Sequence, residues 1–397
     1  MKKMKGCLVN LVLVTASILV IFVVLEAAAR IYLRFIADED TFFHYASLRQ
    51  LQQQKWEERV AFKYSPHRYL GYYPTPNHRY RENRHNALGY RGGEIAMPKP
   101  AGEFRIVCIG GSTTYTGHVN DWRLAYPAQL EAQLKERGFN NVSVVNAGVE
   151  GWTTYESLIN FELRILDLEP DLIVVYHAIN DMIGRFVWPP EMYRGDNSGS
   201  RGPFISERFM PNILEYSTLA RAIMIRSGWM LPHSALPKLY DVYEPTFYGF
   251  TWREQVKDGN YPSGIFENVS AKEMLDVNPP RYFRRNVESL QAIAQAHGVA
   301  TVLATFFYSQ GFEDEPWVTS KEFLSTYDEA NAILRDIATQ TDAVLFDLAG
   351  TFPKNPELFT DGIHLTAEGA RIKAGLIADF LVEQHLVSPS GNAANDD

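Results

Sequence analysis

Short apolar runs rich in β-branched residues alternate along most of the chain with segments whose apolar positions recur every three to four residues. The first run, at residues 106–109, shows no polar alternation, which is typical of a strand covered on both faces. Similar runs predict four more strands, at residues 142–145, 172–176, 300–305 and 343–347. Helical periodicity follows each strand, in residues 126–137, 154–168, 282–297, 321–341 and 366–385, and the last of these helices is expected to bury Ile372, Leu376 and Phe380. Five strands that are each followed by a helix predict an α/β fold with a doubly wound parallel sheet.

The N-terminus carries a different pattern. Lys2, Lys3 and Lys5 precede residues 6–25, which contain no charged side chain. At about 1.5 Å per residue, this stretch spans roughly 30 Å, the thickness of a bilayer core. We therefore expect residues 1–37 to form a transmembrane signal anchor, with a cytoplasmic N-terminus and a translocated body. The small residues 27–29 keep a removable signal peptide open as an alternative.

Changes in composition divide the rest of the chain. Residues 38–100 form an irregular leader rich in Tyr, Pro, Asn and Gly, and its aromatic content predicts that it packs on the body. Residues 101–387 form the body, interrupted by an aperiodic insert at residues 182–280 that we interpret as a lid, a substrate wall or a disordered loop. Its many aromatic residues argue against disorder. The small, polar residues 388–397 predict a flexible tail.

Charge and cysteine content narrow the possible classes of function. The net charge is -9 and the body has no basic cluster, so a nucleic-acid partner is not expected. The two cysteines lie in the apolar N-terminus and in the first strand, which makes a disulfide framework improbable. Outside Asp361 and His364, no His, Asp or Glu cluster has metal-ligand spacing, so neither a metal nor a cofactor is expected.

Polar residues with catalytic potential follow the ends of the predicted strands. Ser112 comes after the first strand, Gly151 after the second and Asn180 after the third, while Asp361 and His364 lie in the loop after the fifth. The carboxyl ends of parallel strands share one edge of a sheet, and ligands bind there in open α/β folds. We therefore expect these five residues to converge.

The five residue types fit nucleophilic catalysis on an ester. A serine hydroxyl becomes a good nucleophile when a neighbouring base removes its proton, and His364 can act as that base. Asp361 can orient the imidazole and stabilise its charged form. The backbone N–H groups of Ser112 and Gly151, with the side-chain amide of Asn180, can form an oxyanion hole.

These segments resemble the four sequence blocks of the SGNH/GDSL hydrolase family, which contribute Ser, Gly, Asn and His. Residues 110–113 resemble the first block in its G-G-S-T variant, and residues 146–151 resemble the second. Residues 178–181 are similar to the third block, with alanine in place of its glycine, and residues 361–364 match the D-x-x-H block. The resemblance implies a three-layer α/β/α, flavodoxin-like fold and ester hydrolysis or acyl transfer without a metal.

The leading hypothesis is a membrane-anchored serine esterase that hydrolyses an O-acyl ester of a carbohydrate or a lipid through an acyl-enzyme. Its catalytic domain would lie outside the cytoplasm, in a periplasm or at a cell surface. One alternative uses the same residues to transfer the acyl group to a surface polysaccharide. A second alternative is a non-catalytic carbohydrate-binding protein with the same fold. The complete Ser, Gly, Asn, Asp and His set favours an enzyme, because a binding protein needs no base beside a serine.

Overall fold

The computed structural model describes residues 2–47, 50, 63–67, 69–186, 190–195, 216–230 and 270–387. The chain forms two compact units. The first comprises Met1–Ala61 and Ser206–Leu239, and the second comprises Phe62–Ile205 and Tyr240–Asp397. Most of the predicted insert and all of the predicted tail lie outside the described residues.

In chain order, the helices of the described residues are α1 (Lys2–Phe35), α2 (Glu39–Tyr45), α3 (Ser112–Tyr115), α4 (Tyr126–Glu136), α5 (Thr154–Asn160), α6 (Ile179–Ile183), α7 (Thr218–Arg226), α8 (Ala271–Val277), α9 (Arg281–Ala296), α10 (Pro316–Thr319), α11 (Lys321–Gln340), α12 (Leu348–Thr351) and α13 (Ala367–Glu383). The strands are β1 (Tyr64–His67), β2 (Gly71–Pro74), β3 (Arg79–Tyr80), β4 (Asn83–Arg84), β5 (Phe104–Gly110), β6 (Val142–Gly148), β7 (Leu172–Tyr176), β8 (Ala300–Ala304) and β9 (Val344–Phe346). The helix predicted at residues 154–168 is α-helical only as far as Asn160 and continues as a π turn, Phe161–Ile165, and a 3₁₀ turn, Leu166–Leu168.

The first unit is built on α1. Within it, Val12–Phe35 is long and apolar enough to cross a membrane, a property that fits either an anchor or a signal sequence. The Glu26 carboxylate accepts hydrogen bonds from the backbone N–H groups of Thr218 and Leu219, and so caps the N-terminus of α7. The buried Arg221 of α7 donates to the carbonyl of Ala46, 2.6 Å away, which ties α7 to the end of α2.

The second unit contains a five-stranded parallel sheet in the order β6-β5-β7-β8-β9. The first crossover, β5–α4–β6, therefore runs along the sheet in the opposite direction from the later ones. Right-handed crossovers then place α4 on one face, where it packs against α13, and α5, α9 and α11 on the other. The predicted three-layer α/β/α, flavodoxin-like fold is confirmed.

The strand and helix patterns of the sequence match the core with one exception. Residues 106–109 of β5 are fully buried, as expected of a strand covered on both faces. In α13, however, the predicted inner face of Ile372, Leu376 and Phe380 is only half-buried. The fully buried line of α13 contains Ala370, Lys373, Ala374, Ile377, Ala378 and Leu381. The three predicted residues pack against the core, but the centre of the buried face lies along the neighbouring line, which includes Lys373.

The leader contributes two antiparallel hairpins to the second unit. β1 pairs with β2, and β3 pairs with β4. Along β2, exposure alternates, so Tyr72 is buried while Tyr73 is half-buried on the other side. Tyr64 of β1 is also fully buried. The β1–β2 hairpin packs against the loop that contains Glu150, through hydrogen bonds that both tyrosines donate to that residue.

Candidate active site

Ser112 is the first residue of α3. It follows two glycines, Gly110 at the end of β5 and Gly111 at the N-cap of α3. A Cβ atom on Gly111 would lie 2.7 Å from Nδ2 of Asn180, and one on Gly110 would lie 2.5 Å from the carbonyl oxygen of Tyr176. Both distances are closer than a real Cβ approaches another atom. Close contacts with Tyr176 of β7 and with Asn180 of α6 therefore disfavour a side chain at either glycine.

Ser112, His364 and Asp361 form a continuous chain of hydrogen bonds. The Oγ atom of Ser112 lies 2.7 Å from Nε2 of His364, and Nδ1 of the same ring lies 2.6 Å from Oδ2 of Asp361. Since a carboxylate only accepts hydrogen bonds, Nδ1 carries a proton and Nε2 is left to accept the serine proton. The three groups are arranged as a nucleophile, a base and the carboxylate that orients the base.

The loop between Asp361 and His364 is shaped for this arrangement. Gly362 has a φ of 87°, a left-handed conformation that favours glycine. The second carboxylate oxygen of Asp361 accepts hydrogen bonds from the backbone N–H groups of Ile363 and His364, at 3.1 and 2.8 Å. Burial alone would raise the pKa of Asp361, but the hydrogen bonds and charge of His364 hold that pKa below its usual value. Asp361 is thus held as a carboxylate.

Gly151 and Asn180 lie at the same edge of the sheet. Gly151 has a φ of 72° in the loop after β6, and Asn180 lies in the first turn of α6. The Asn180 amide donates to the carbonyl oxygen of Trp152, 2.8 Å away, and this bond connects that loop to α6. Ala178, which replaces the glycine of the third block, has a φ of -169°. This φ lies outside the left-handed region that favours glycine, so the position does not require a glycine on that ground.

A single cavity of about 390 Å³ brings the predicted residues together. Ser112, Gly151, Asn180, Asp361 and His364 all line it. The other lining residues are His118, Glu150, Ile179, Ile183, Glu315, Trp317, Thr360 and Ile363. The five residues that we expected to converge therefore lie around one cavity, and their catalytic roles stay a prediction.

His118 stacks on the imidazole of His364, with ring centroids 4.3 Å apart and an angle of 24° between the planes. Its Nδ1 lies 2.5 Å from Oγ1 of Thr360, whose hydroxyl also lies 3.2 Å from the carbonyl of His364. Although His118 is exposed at the cavity mouth, partial desolvation and the neighbouring His364 lower its pKa. A neutral His118 ring can cover the base without placing a second positive charge beside it.

Among the described residues, His118, Asp361 and His364 form a group of metal-ligand type, with ligand atoms within 4.8 Å of one another. Both ring nitrogens of His364 are already hydrogen-bonded, to Ser112 and to Asp361. A metal ion on His364 would have to displace one of these partners. The group therefore fits proton transfer better than metal binding.

His177, a histidine that directly follows β7, is buried beside a different serine. Its Nε2 lies 2.8 Å from Oγ of Ser157, and burial lowers its pKa to about 3. It does not line the cavity. The neighbouring Asp181 accepts hydrogen bonds from the backbone N–H and hydroxyl of Thr154, and burial raises its pKa to about 7. This network connects the start of α5 to α6.

Sequence analysis missed His118, Glu150 and Trp317 as residues of the cavity. Glu150 directly precedes Gly151 in the segment that resembles the second block, so its position was a usable signal. His118 follows Ser112 by six positions, but nothing in the local pattern indicates that its ring turns back onto His364. Trp317 lies in α10, the short helix that follows β8, in a segment that carried no motif.

Comparison with known families gives one match that covers most of the chain. Residues 108–372 match the model described as the GDSL-like Lipase/Acylhydrolase family. The matched segment begins in β5, just before Ser112, and includes Asp361 and His364. No curated protein is similar enough to count as a match.

A comparison with solved structures finds matches of low sequence identity. A lipase/acylhydrolase from Enterococcus faecalis is 15% identical, with a TM-score of 0.41, and the match covers 73% of this chain and 100% of that one. A putative acylhydrolase from Bacteroides fragilis is 17% identical, with a TM-score of 0.40 and coverages of 73% and 92%. A catalytic mutant of an acetylxylan esterase from Geobacillus stearothermophilus is 16% identical, with a TM-score of 0.39 and coverages of 72% and 95%.

Proposed function

This chain belongs to the GDSL-like lipase/acylhydrolase family, and on that premise we propose that it is a membrane-anchored serine esterase. In this proposal it hydrolyses an O-acyl ester of a carbohydrate or lipid through an acyl-enzyme on Ser112. The observation that carries the proposal is the hydrogen-bonded chain from Ser112 through His364 to Asp361, at the wall of a cavity large enough for an acyl group.

The proposed reaction has two half-reactions at one serine. His364 removes the Ser112 proton as Oγ attacks the ester carbonyl, and the same proton then passes to the departing alcohol oxygen. The C–O bond to the alcohol breaks, leaving the acyl group on Ser112. Water, deprotonated by His364, then attacks the acyl-enzyme, releases the carboxylic acid and restores the serine hydroxyl. Asp361 remains a carboxylate throughout and stabilises the imidazolium.

In the same proposal, Ser112, Gly151 and Asn180 stabilise the negative oxygen of each tetrahedral intermediate. The donors are the backbone N–H groups of Ser112 and Gly151 and the side-chain amide of Asn180. The amide is held close to Ser112 by its bond to the carbonyl of Trp152 and by the absence of a side chain on Gly111. Donors that are held in place before reaction need no reorganisation when the charge forms.

The side chains that line the cavity favour an apolar acyl group. Ile179, Ile183, Trp317 and Ile363 line it beside Ser112. Apolar walls with a few convergent polar groups are typical of small-molecule sites. We infer that the acyl chain packs on these four side chains, while the alcohol part leaves through the open side of the cavity.

Product analysis tests the proposed reaction. The full-length protein in detergent is given p-nitrophenyl esters of graded acyl length, with and without an added glycan acceptor. We expect free carboxylic acid in equal amount to the released alcohol under both conditions. Acyl groups found on the glycan, with little free acid, would show that the protein transfers the acyl group and does not hydrolyse the ester. Absence of both products would contradict an enzyme of this class.

We also propose that α1 remains in the mature protein as the membrane anchor. The uncharged residues 6–25 match a bilayer core in length, and Lys2, Lys3 and Lys5 favour a cytoplasmic N-terminus with the catalytic unit outside the cytoplasm. Mass spectrometry of the membrane fraction is expected to find peptides from residues 6–25. A mature protein that starts at Arg30 would show that the segment is a cleaved signal peptide.

A further inference from the structure

A hydrogen bond joins the leader to the loop after β6, which contains Gly151, one of the predicted oxyanion donors. The hydroxyl of Tyr72 donates to the backbone carbonyl oxygen of Glu150, 2.8 Å away. That carbonyl belongs to the same peptide group as the N–H of Gly151. In a trans peptide the C=O and N–H bonds point in opposite directions, so a donor that fixes one of them also aims the other.

A second set of contacts keeps Glu150 in place. One carboxylate oxygen of Glu150 accepts hydrogen bonds from Nζ of Lys63, at 2.5 Å, and from the hydroxyl of Tyr64, at 2.7 Å. The Glu150 residue is 2% exposed. Burial would raise its pKa, but the charge and hydrogen bond of Lys63 keep that pKa below its usual value. A buried, charge-paired side chain resists rotation, so the peptide group that follows it is also restrained.

The leader also contacts the backbone after the candidate nucleophile. The guanidinium of Arg91 donates to the carbonyl oxygens of Tyr115 and Thr116, at the end of the short helix that begins with Ser112. The hydroxyl of Tyr115 is hydrogen-bonded to the Asn83 amide and to the His85 ring, each at 2.9 Å. The leader thus contacts both loops that would supply backbone donors to the oxyanion.

We propose that Tyr72 is a positioning residue that aims the N–H group of Gly151 into the oxyanion hole. The inference rests on the proposed function, since it requires a negative oxygen to form beside Ser112. The Tyr72 hydroxyl touches no substrate in this scheme. It acts by fixing the plane of the Glu150–Gly151 peptide, and its hydrogen bond to the carbonyl also polarises the N–H on the other side.

The central test is the Tyr72→Phe variant of the full-length protein in detergent. The variant keeps the ring and removes only the donor. We expect kcat to fall about 10-fold, less than the 10²- to 10³-fold loss typical of deleting an oxyanion donor. KM should stay within about twofold, because the contact with the oxyanion forms only in the transition state. Inhibition by a boronic acid, whose tetrahedral adduct on Ser112 carries a negative oxygen, should weaken by a similar factor.

Two other tyrosines of the same hairpin provide controls. Tyr73 lies on the other side of β2, so Tyr73→Phe should match the wild-type protein in kcat and in boronic acid inhibition. Tyr64→Phe removes a bond to the Glu150 side chain and leaves the peptide carbonyl bond intact. It should lower the melting temperature at least as much as Tyr72→Phe while lowering kcat less.

The outcomes separate positioning from general stability. If kcat falls in proportion to the melting temperature in both Tyr64→Phe and Tyr72→Phe, the role of Tyr72 is structural and the proposal is overturned. It is also overturned if Tyr72→Phe keeps wild-type kcat. Failure of the proposed function itself would look different, because the Ser112→Ala variant would then retain full esterase activity.

Discussion

Replacing Ser112 with alanine is expected to lower kcat by about 10⁴- to 10⁶-fold, the largest effect that we predict for a single substitution. Alanine removes the atom that forms the acyl-enzyme and leaves His364 with no hydroxyl to deprotonate. Among the described residues, the Ser112 hydroxyl is hydrogen-bonded only to His364, so folding should be little affected. Steady-state hydrolysis of a p-nitrophenyl ester by the full-length protein measures the loss, and circular dichroism checks the fold.

The chain offers a matched control for this variant. Ser157 is also hydrogen-bonded to a histidine, at 2.8 Å from Nε2 of His177, but neither residue lines the cavity. Ser157→Ala should therefore keep kcat within a few-fold of the wild-type value and lose about 1 kcal/mol of stability. Equal loss of activity in both variants would contradict the assignment of Ser112 as the nucleophile.

Replacing Asp361 with asparagine is expected to lower kcat by about 10³- to 10⁴-fold. The asparagine amide can donate to Nδ1 of His364, which would move the ring proton to Nε2 and leave no acceptor for the serine proton. The carboxylate is also lost as the partner of the imidazolium that forms during the reaction. Substrate binding should change little, so the effect is expected in kcat, measured with the same ester.

Asp379 provides the control for the charge change. Its carboxylate pairs with Arg137 on the outer side of α13, away from the cavity. Asp379→Asn should hydrolyse the ester at the wild-type rate. An Asp361→Asn variant with more than about a tenth of wild-type kcat would show that His364 does not depend on this carboxylate.

The sheet could be predicted from sequence because its strands are covered on both faces. A strand of this kind reads as an unbroken apolar run, and residues 106–109 are all fully buried in β5. The convergence of Ser112, Gly151 and Asn180 followed from the same reasoning, since each residue comes after a strand of one parallel sheet. The side-chain distances did not follow, because they depend on loop conformation.

The reason for the two glycines before Ser112 was not available from local sequence. Two adjacent glycines are typical of a turn, but neither Gly110 nor Gly111 has a positive φ. Gly111 must be small because the Asn180 amide, distant in sequence, lies against it. A contact of this kind depends on tertiary structure, whereas a turn depends on neighbouring residues.

The fully buried face of α13 is offset from the predicted one for a related reason. Lys373 is fully buried, with Nζ 3.4 Å from the ring centroid of Tyr176 and 4.0 Å from that of Tyr126. Burial lowers its pKa well below the usual value for lysine. A helical pattern normally places lysine at the solvent, so the inner face expected from sequence is displaced from the face that is buried. The rings of Tyr126 in α4 and Tyr176 in β7 contact the buried amine.

The contact between the leader and Glu150 could not be predicted from sequence either. Its hairpins are short and rich in tyrosine and proline, so they carry little of the periodicity that identifies strands. The hydrogen bond from Tyr72 to Glu150 joins residues 78 positions apart. The sequence indicated that the aromatic residues pack on the body, but it did not indicate which peptide group they contact.

The central claim is that Ser112 is the nucleophile activated by His364, and covalent labelling tests it most directly. The full-length protein in detergent is treated with a fluorophosphonate, digested and mapped by peptide mass spectrometry. The account predicts a single adduct on Ser112, formed much more slowly in Asp361→Asn than in the wild-type protein. An adduct on a different serine, or no adduct in a preparation that still hydrolyses esters, would contradict it.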